Sequence, residues 1–168
     1  MDVSMDGNTY RSIMRHQAGA VALITTGALG NRTGLTATAV CSLTDDPPTL
    51  LVCVNKSASA HDLIVAQRSF GVNLLGLHQQ DLAAAFSGRT GLKGEDRFHV
   101  PGFEWTTLKT GAPILTGALA SLDCAVTEEQ SFSTHTIFIG AVRDGHFNDE
   151  AKALLYFRGD FWDLSSLG

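Results

Sequence analysis

Long apolar runs are missing from this 168-residue chain. A helix that crosses a bilayer needs about 20 consecutive apolar residues, and no stretch approaches that, so no membrane segment is expected. A basic excess is missing too: 12 Lys and Arg against 17 Asp and Glu leave a formal charge of −5. A phosphate lattice needs a concentrated cationic face, so nucleic acid is not an expected partner. That balance still leaves room for a few cations around one small phosphate. Proline is scarce, at four, which argues against a Pro-rich linker. Cys41, Cys53 and Cys124 are too few and too scattered for a disulfide framework, and no CxxC occurs. Their expected state is buried, reduced thiols in a cytoplasmic protein. Residues 1–15 lack an apolar h-region, so no secretory signal is expected.

Several chemistries are absent by motif. There is no GxGxxG; Gly27, Gly30 and Gly34 have the wrong spacing and run into a strand, so a Rossmann dinucleotide site is excluded. There is no Walker A loop and no GxSxG elbow. The six histidines show no HxxxH or HxH spacing and no cysteine lies close to any of them, so no protein-built metal site is expected.

What is present is β-rich sequence broken by 17 glycines. Without a charge block, repeat or low-complexity tract, residues 1–168 read as one domain. Apolar spacing at Tyr10, Ile13 and Met14 predicts an opening helix over 10–17. Strands are predicted at 20–26 and 35–43, and at 49–54, whose continuous apolar run suggests cover on both faces. Ser59, with Asp62 three residues on, is the expected N-cap of a helix to about 67 that buries Leu63, Ile64 and Ala66. A strand at 70–75 and a helix at 79–86 burying Leu82, Ala83 and Phe86 follow. Residues 87–103 form a long glycine-rich loop, of a kind more often functional than idle. Two strands, 118–127 and 136–143, flank a polar connector at 128–130; Asp144-Gly145 is a predicted turn, and 154–158 closes the pattern. Strands follow strands, so the expected fold class is mainly β: an antiparallel β-barrel with short helices.

Two neighbouring segments stand out. The stretch 34–42, Gly-Leu-Thr-Ala-Thr-Ala-Val-Cys-Ser, carries no bulky side chain on either face if it runs as one strand, with Thr36, Thr38, Val40 and Ser42 together. A flat ring can lie there; so can a neighbouring backbone. The stretch 55–59, Asn-Lys-Ser-Ala-Ser, precedes a helix, whose free amides attract anions, with Lys56, Ser57 and Ser59 adding a cation and hydroxyls. It reads equally as an ordinary capped turn. Arg89 and Lys93 are either a second phosphate contact or solvated loop cations, and His135 either functional or structural.

These segments resemble the short-chain flavin reductase family. The resemblance rests on 34–48 (continuing Leu-Thr-Asp-Asp-Pro-Pro) and on Thr-Leu-Leu-Val-Cys-Val-Asn-Lys-Ser at 49–57. It extends through Phe-Gly-Val-Asn-Leu at 70–74, Ala-Phe-Ser-Gly-Arg at 85–89, Arg97-Phe98, Gly-Ala-Pro-Ile-Leu at 111–115, Ser-Thr-His at 133–135 and Leu-Tyr-Phe at 155–157. It is collinear from about 10 to 161. It implies an FMN-binding split β-barrel of Greek-key type that forms a homodimer, and an NAD(P)H:flavin oxidoreductase. Hydride would pass from NADH or NADPH to FMN or FAD, and reduced flavin would go to a separate monooxygenase. Carried over residue by residue, the flavin site comprises Thr36, Ala37, Thr38, Ser42, Asn55, Lys56, Ser57 and Ser59, with Ser87 and Arg89 as further candidates. His135 would position the nicotinamide, and no protein acid or base is essential. The tail departs from the pattern: Asp160 stands where a base is usual and Trp162 where His is usual. The alternatives are a flavin-dependent corrinoid reductase on the same fold, or a non-catalytic flavin-binding split barrel.

Overall fold

The computed structural model describes residues 4–164. Asp6 caps the first helix, α1 (Gly7–Met14), by accepting from the N–H groups of Asn8 and Thr9 at 2.9 and 3.1 Å. That cap starts the helix three residues before Tyr10, and the helix ends at Met14 with Arg15 as its C-cap, correcting the expected 10–17. Strands β1 (Gly19–Ala20), β2 (Ala22–Thr26), β3 (Thr33–Ala37), β4 (Val40–Asp45) and β5 (Pro48–Asn55) follow. Then come α2 (Ser59–Gln67), β6 (Ser69–Leu74), α3 (Gln80–Phe86) and a 3-10 turn at Gly94–His99. The short strands β7 (Trp105–Thr107) and β8 (Pro113–Leu115) lead into the long hairpin of β9 (Ala120–Phe132) and β10 (His135–Phe147). β11 (Leu155–Phe157) and β12 (Asp160–Trp162) end the fold.

Seven strands form one antiparallel sheet in the order β3-β2-β6-β9-β10-β5-β4. Its two edges, β3 and β4, are consecutive in the chain and joined only by Thr38 and Ala39. A two-residue link can join the two edges of a seven-stranded sheet only if that sheet is curled into a barrel, with the split between β3 and β4. The expected single strand at 35–43 is therefore two strands. The link also shifts the alternation. Leu35, Ala37 and Val40 pack inward, so Val40 does not share a face with Thr36. Thr36 instead points out of the barrel, its hydroxyl donating to the Ala83 carbonyl at 2.7 Å.

The barrel interior is filled by Ala22, Ile24, Val52, Val54, Phe70 and Phe138, with Ala60 and Ile64 of α2 packed among them. A second core lies outside the barrel, where Val21 and Leu23 meet Leu82, Phe86, Phe98 and Leu115. β2 is thus buried on both faces. β5 is not: Leu50, Val52 and Val54 are buried but the alternate residues are only half-buried, which corrects its expected double cover. In α2, Ile64 is buried, Leu63 half-buried and Ala66 exposed. The burial expected of Leu82, Ala83 and Phe86 is observed.

The expected connector at 128–130 and the turn at 144–145 are both strand. Glu128, Glu129 and Gln130 pair with Ile139, Phe138 and Ile137, and Asp144 and Gly145 pair with Asp123 and Leu122 just past a bulge. Of the cysteines only Cys124 is buried; desolvation, aided by the Asp123 charge, pushes its thiol up to about 12. Cys41 is exposed and Cys53 half-buried, contrary to expectation. Among the described residues no helix is long and apolar enough to cross a membrane.

Candidate flavin site

Three grooves run in line outside the β3 edge. The first, about 210 Å³, is walled by Thr36, Ala37 and Thr38. Across it stand Ser87 and Arg89, just past α3, and Tyr156 and Phe161 from the β11–β12 hairpin. The Arg89 guanidinium sits 5.4 Å from the centre of the Phe161 ring. The second groove, about 480 Å³, shares Thr36 and Ser87 with the first. It adds Gly34, the start of α2 at Ser57, Ala58 and Ser59, and the cations Lys93 and Arg97. The third, about 440 Å³, shares Ser59 and Gly94 with the second and continues past Arg32, Asp62 and Glu95.

The wall is bare because the packing behind it demands it. A Cβ on Gly34 would meet the Ile24 carbonyl oxygen at 2.6 Å and the Phe86 ring at 2.9 Å. β3 is also an edge strand, so half of its N–H and C=O groups point away from β2, toward whatever lies against it. The nearby hydroxyls are committed elsewhere. Ser57 donates to Asn55 Oδ1 at 2.8 Å, Ser87 to the Ala84 carbonyl at 2.9 Å, and Ser59 shares a bond of 2.7 Å with Thr33. Ser59 is therefore not the cap of α2. The cap position is Ala58, which offers no side-chain acceptor; the His61 N–H closes onto the Ala58 carbonyl at 3.0 Å, and the N–H groups ahead of it are left to an anion.

Of the residues singled out from the sequence, Thr36, Ala37, Thr38, Ser57, Ser59, Ser87 and Arg89 converge on the first two grooves. Asn55 shapes the turn: its Oδ1 accepts the Ser57 N–H at 2.9 Å as well as the hydroxyl. Lys56 is exposed, and its N–H donates to the Thr134 carbonyl at 2.9 Å. His135 is also exposed and pairs with Asn55 in register, with its Nδ1 2.9 Å from Thr134 Oγ1. These two stand beside the turn rather than in the grooves. Ser42, exposed on β4 opposite Leu50, lines none of the three. In the atypical tail it is Phe161 that faces the first groove, while Trp162 is exposed and donates its indole N–H to the Phe157 carbonyl at 3.0 Å.

Two groups escaped the sequence reading. Arg97, noticed only within a motif pair, donates to the Gly34 carbonyl at 2.7 Å and the Leu92 carbonyl at 3.0 Å; burial pulls its pKa down. It ties the loop bearing Lys93 to the wall. His61 links Thr136 Oγ1 (2.8 Å from Nε2) to Asp62 Oδ1 (2.7 Å from Nδ1), holding the first turn of α2 against the start of β10. No spacing rule marks either.

The far end of the row is held by Arg32 and Glu95, which pair through side chains and through the Arg32 N–H at 2.8 Å. The Arg32 hydrogen bond holds the Glu95 carboxyl below its usual range. A carboxyl whose folded pKa is depressed stabilises the fold above its ordinary pKa and loses that contribution as pH falls through the folded value. Glu95→Gln should therefore lower the thermal midpoint at pH 7, and its gap from wild type should shrink as the pH of the melt falls below the usual carboxylate range. A gap that stays constant with pH would remove the ion pair as the cause.

A further groove, about 570 Å³, meets the first at Thr38 and Tyr156 and runs off between α1 and the outer face of β4 and β5, lined by side chains such as Arg11, Met14, Leu51 and Cys53. It lacks an open helix start. The flavin donors fit the row along β3 instead: a side-chain-poor wall for a ring, then open amides and Lys93 for a phosphate.

Comparison with known proteins agrees with that chemistry. The family described as "flavin reductase like domain" matches residues 14–165. The FMN reductase (NADH) RutF of Stutzerimonas stutzeri is 44% identical over 157 residues, covering 94% of this chain and 88% of its own. The structure of BorF, the flavin reductase component of a bacterial two-component tryptophan halogenase, is 33% identical with a TM-score of 0.85, covering 95% of this chain and 98% of that one. The styrene monooxygenase flavin reductase of Pseudomonas putida S12 is 28% identical with a TM-score of 0.79, covering 92% and 96%. With the family signature running almost end to end, this chain belongs to the flavin reductase-like family.

Proposed function

We propose that this chain, working as one domain within a cytoplasmic homodimer, is an NADH-dependent FMN reductase that passes reduced flavin to a separate monooxygenase. The observation that carries the reading is the bare wall of Thr36, Ala37 and Thr38 leading directly to the uncapped start of α2 and to Lys93. The choice of FMN and NADH follows the relative from Stutzerimonas stutzeri; the separate oxygenase follows the styrene monooxygenase reductase.

Bound flavin would supply the hydride acceptor. The chain's own task is to hold and aim. The unpaired edge of β3 presents N–H groups where negative charge develops on a reduced ring, a preorganised electrostatic contribution. The first N–H groups of α2, with Lys93, anchor the phosphate. Tyr156 and Phe161 limit the water around the ring edge. His135, beside the Asn55 turn, orients the nicotinamide end of the donor, which is a proximity effect.

Homodimer formation is supported by apolar surface that water should not see. Tyr10, Ile13 and Met14 on α1 are 56%, 52% and 41% exposed, and no residue of α1 is buried. Phe132, at the tip of the β9–β10 arm, is 56% exposed.

Anaerobic titration of the protein and FMN with NADH, followed at the flavin absorbance band, tests the activity. Bleaching must outpace that of free FMN or the reading is abandoned. His135→Ala should raise the KM for NADH while FMN affinity stays near normal. If FMN affinity collapses instead, His135 belongs to the flavin side.

A further inference from the structure

The third groove differs from its neighbours in charge. Its cation, Arg32, is already taken. The guanidinium Nε donates to both Glu95 oxygens, at 2.9 and 3.1 Å, and its face lies 4.5 Å from the centre of the Phe98 ring. The pair is well covered, with side-chain exposures of 12% and 22%. Glu95 titrates below the usual carboxylate range and is ionised in any ordinary assay buffer. What is left over is Asp62, 96% exposed at the rim beside the helix start. Arg32, Glu95 and Asp62 sum to one negative charge. Lys93 and Arg97 line the second groove and not the third.

A mononucleotide flavin anchored at the start of α2 ends there. A dinucleotide flavin continues, and the direction away from the ring leads past Ser59 and Gly94 into the third groove. The second phosphate of FAD carries a negative charge of its own. It would enter a groove whose guanidinium is neutralised and whose free charge has its own sign. We propose that Asp62, with the closed Arg32–Glu95 pair, makes the third groove an anion-rejecting vestibule that selects mononucleotide over dinucleotide flavin. This rests on the phosphate reading given above for the start of α2.

Asp62 is a clean handle. It is exposed, and asparagine keeps the oxygen that meets His61 Nδ1. The test compares riboflavin, FMN and FAD as acceptors with NADH, at about pH 8 where ordinary imidazoles are neutral, in wild type, Asp62→Asn and Asp62→Lys. Affinities of the three flavins, measured by fluorescence quenching, accompany the kinetics. The expected result is that the FAD:FMN ratio of kcat/KM rises about three- to fivefold in Asp62→Asn, again in Asp62→Lys, and that the gain shrinks in about 0.5 M salt. If FMN outbinds riboflavin but both variants leave the FAD:FMN ratio unmoved, the vestibule is overturned while the phosphate site stands. If FMN binds no better than riboflavin, the phosphate site fails and takes the vestibule with it.

Discussion

Asn73→Ala is expected to cost about 3–5 kcal/mol of folding stability, the range for leaving several buried groups unpaired at once. Asn73 lies on β6, fully buried, with every bonding position of its amide in use. Its Nδ2 donates to the Leu23 carbonyl at 3.3 Å and to Thr25 Oγ1 at 3.0 Å. Its Oδ1 accepts the Leu115 N–H at 2.8 Å and the Ser121 hydroxyl at 3.0 Å. One side chain therefore bonds to β2, β8 and β9 from β6. Thr25 extends the link by donating to the Pro113 carbonyl at 2.6 Å. Alanine removes all four bonds and leaves the Leu115 N–H without a partner inside the second core. Urea unfolding should give a lower midpoint with an unchanged slope. Asn73→Leu should be no better, because filling the volume does not satisfy the orphaned groups. A loss under about 1 kcal/mol would mean that water enters and rebuilds the bonds. FMN affinity of the folded fraction should hardly change, since Asn73 touches none of the grooves.

That network also marks a boundary of what sequence conveys. A central Asn in Phe-Gly-Val-Asn-Leu is not distinguishable from a polar residue on a solvated strand face. The strand itself was legible, as were the buried side of α3 and the mainly β class, because each leaves an apolar period. The arm at 127–135 was not. There β9 runs past its pairing with β6 and every residue is exposed, although β10 still pairs with β5, so the stretch shows no apolar alternation and reads as a connector. Asp144-Gly145 misled for another reason. Glycine there meets a close approach, with an added Cβ only 2.6 Å from the Ser121 carbonyl oxygen beside a bulge, and does not turn the chain.

The site divides the same way. Thr36, Ala37, Thr38, Ser57 and Ser59 were visible because smallness over several residues and a strand-to-helix turn are properties of the sequence. The two-residue link that closes the barrel was not, and with it went Ser42. That residue shares an apparent strand with Thr36, yet it lies on the opposite edge of the sheet from it, across the split. The alignment of three grooves depends on the 3-10 turn at Gly94–His99 folding back beside β3. Nothing local in that loop announces it.

Arg97 shows what such a loop residue is worth. Arg97→Met should weaken FMN binding by about 2–3 kcal/mol, or roughly 30- to 150-fold. The guanidinium contributes twice. It brings a partly desolvated positive charge to the second groove, and it ties the Gly34 and Leu92 carbonyls together so that Lys93 is held at the groove rather than free in solvent. Methionine keeps most of the apolar stem and removes both effects. Lysine keeps the charge but not the fork that spans two carbonyls, so Arg97→Lys should recover only part of the loss. Because both contributions act on the phosphate, riboflavin should lose far less affinity than FMN. Fluorescence quenching of the two flavins in the three proteins reads this directly. Equal losses for riboflavin and FMN would show that Arg97 shapes the ring wall through Gly34 and contributes nothing to the anion.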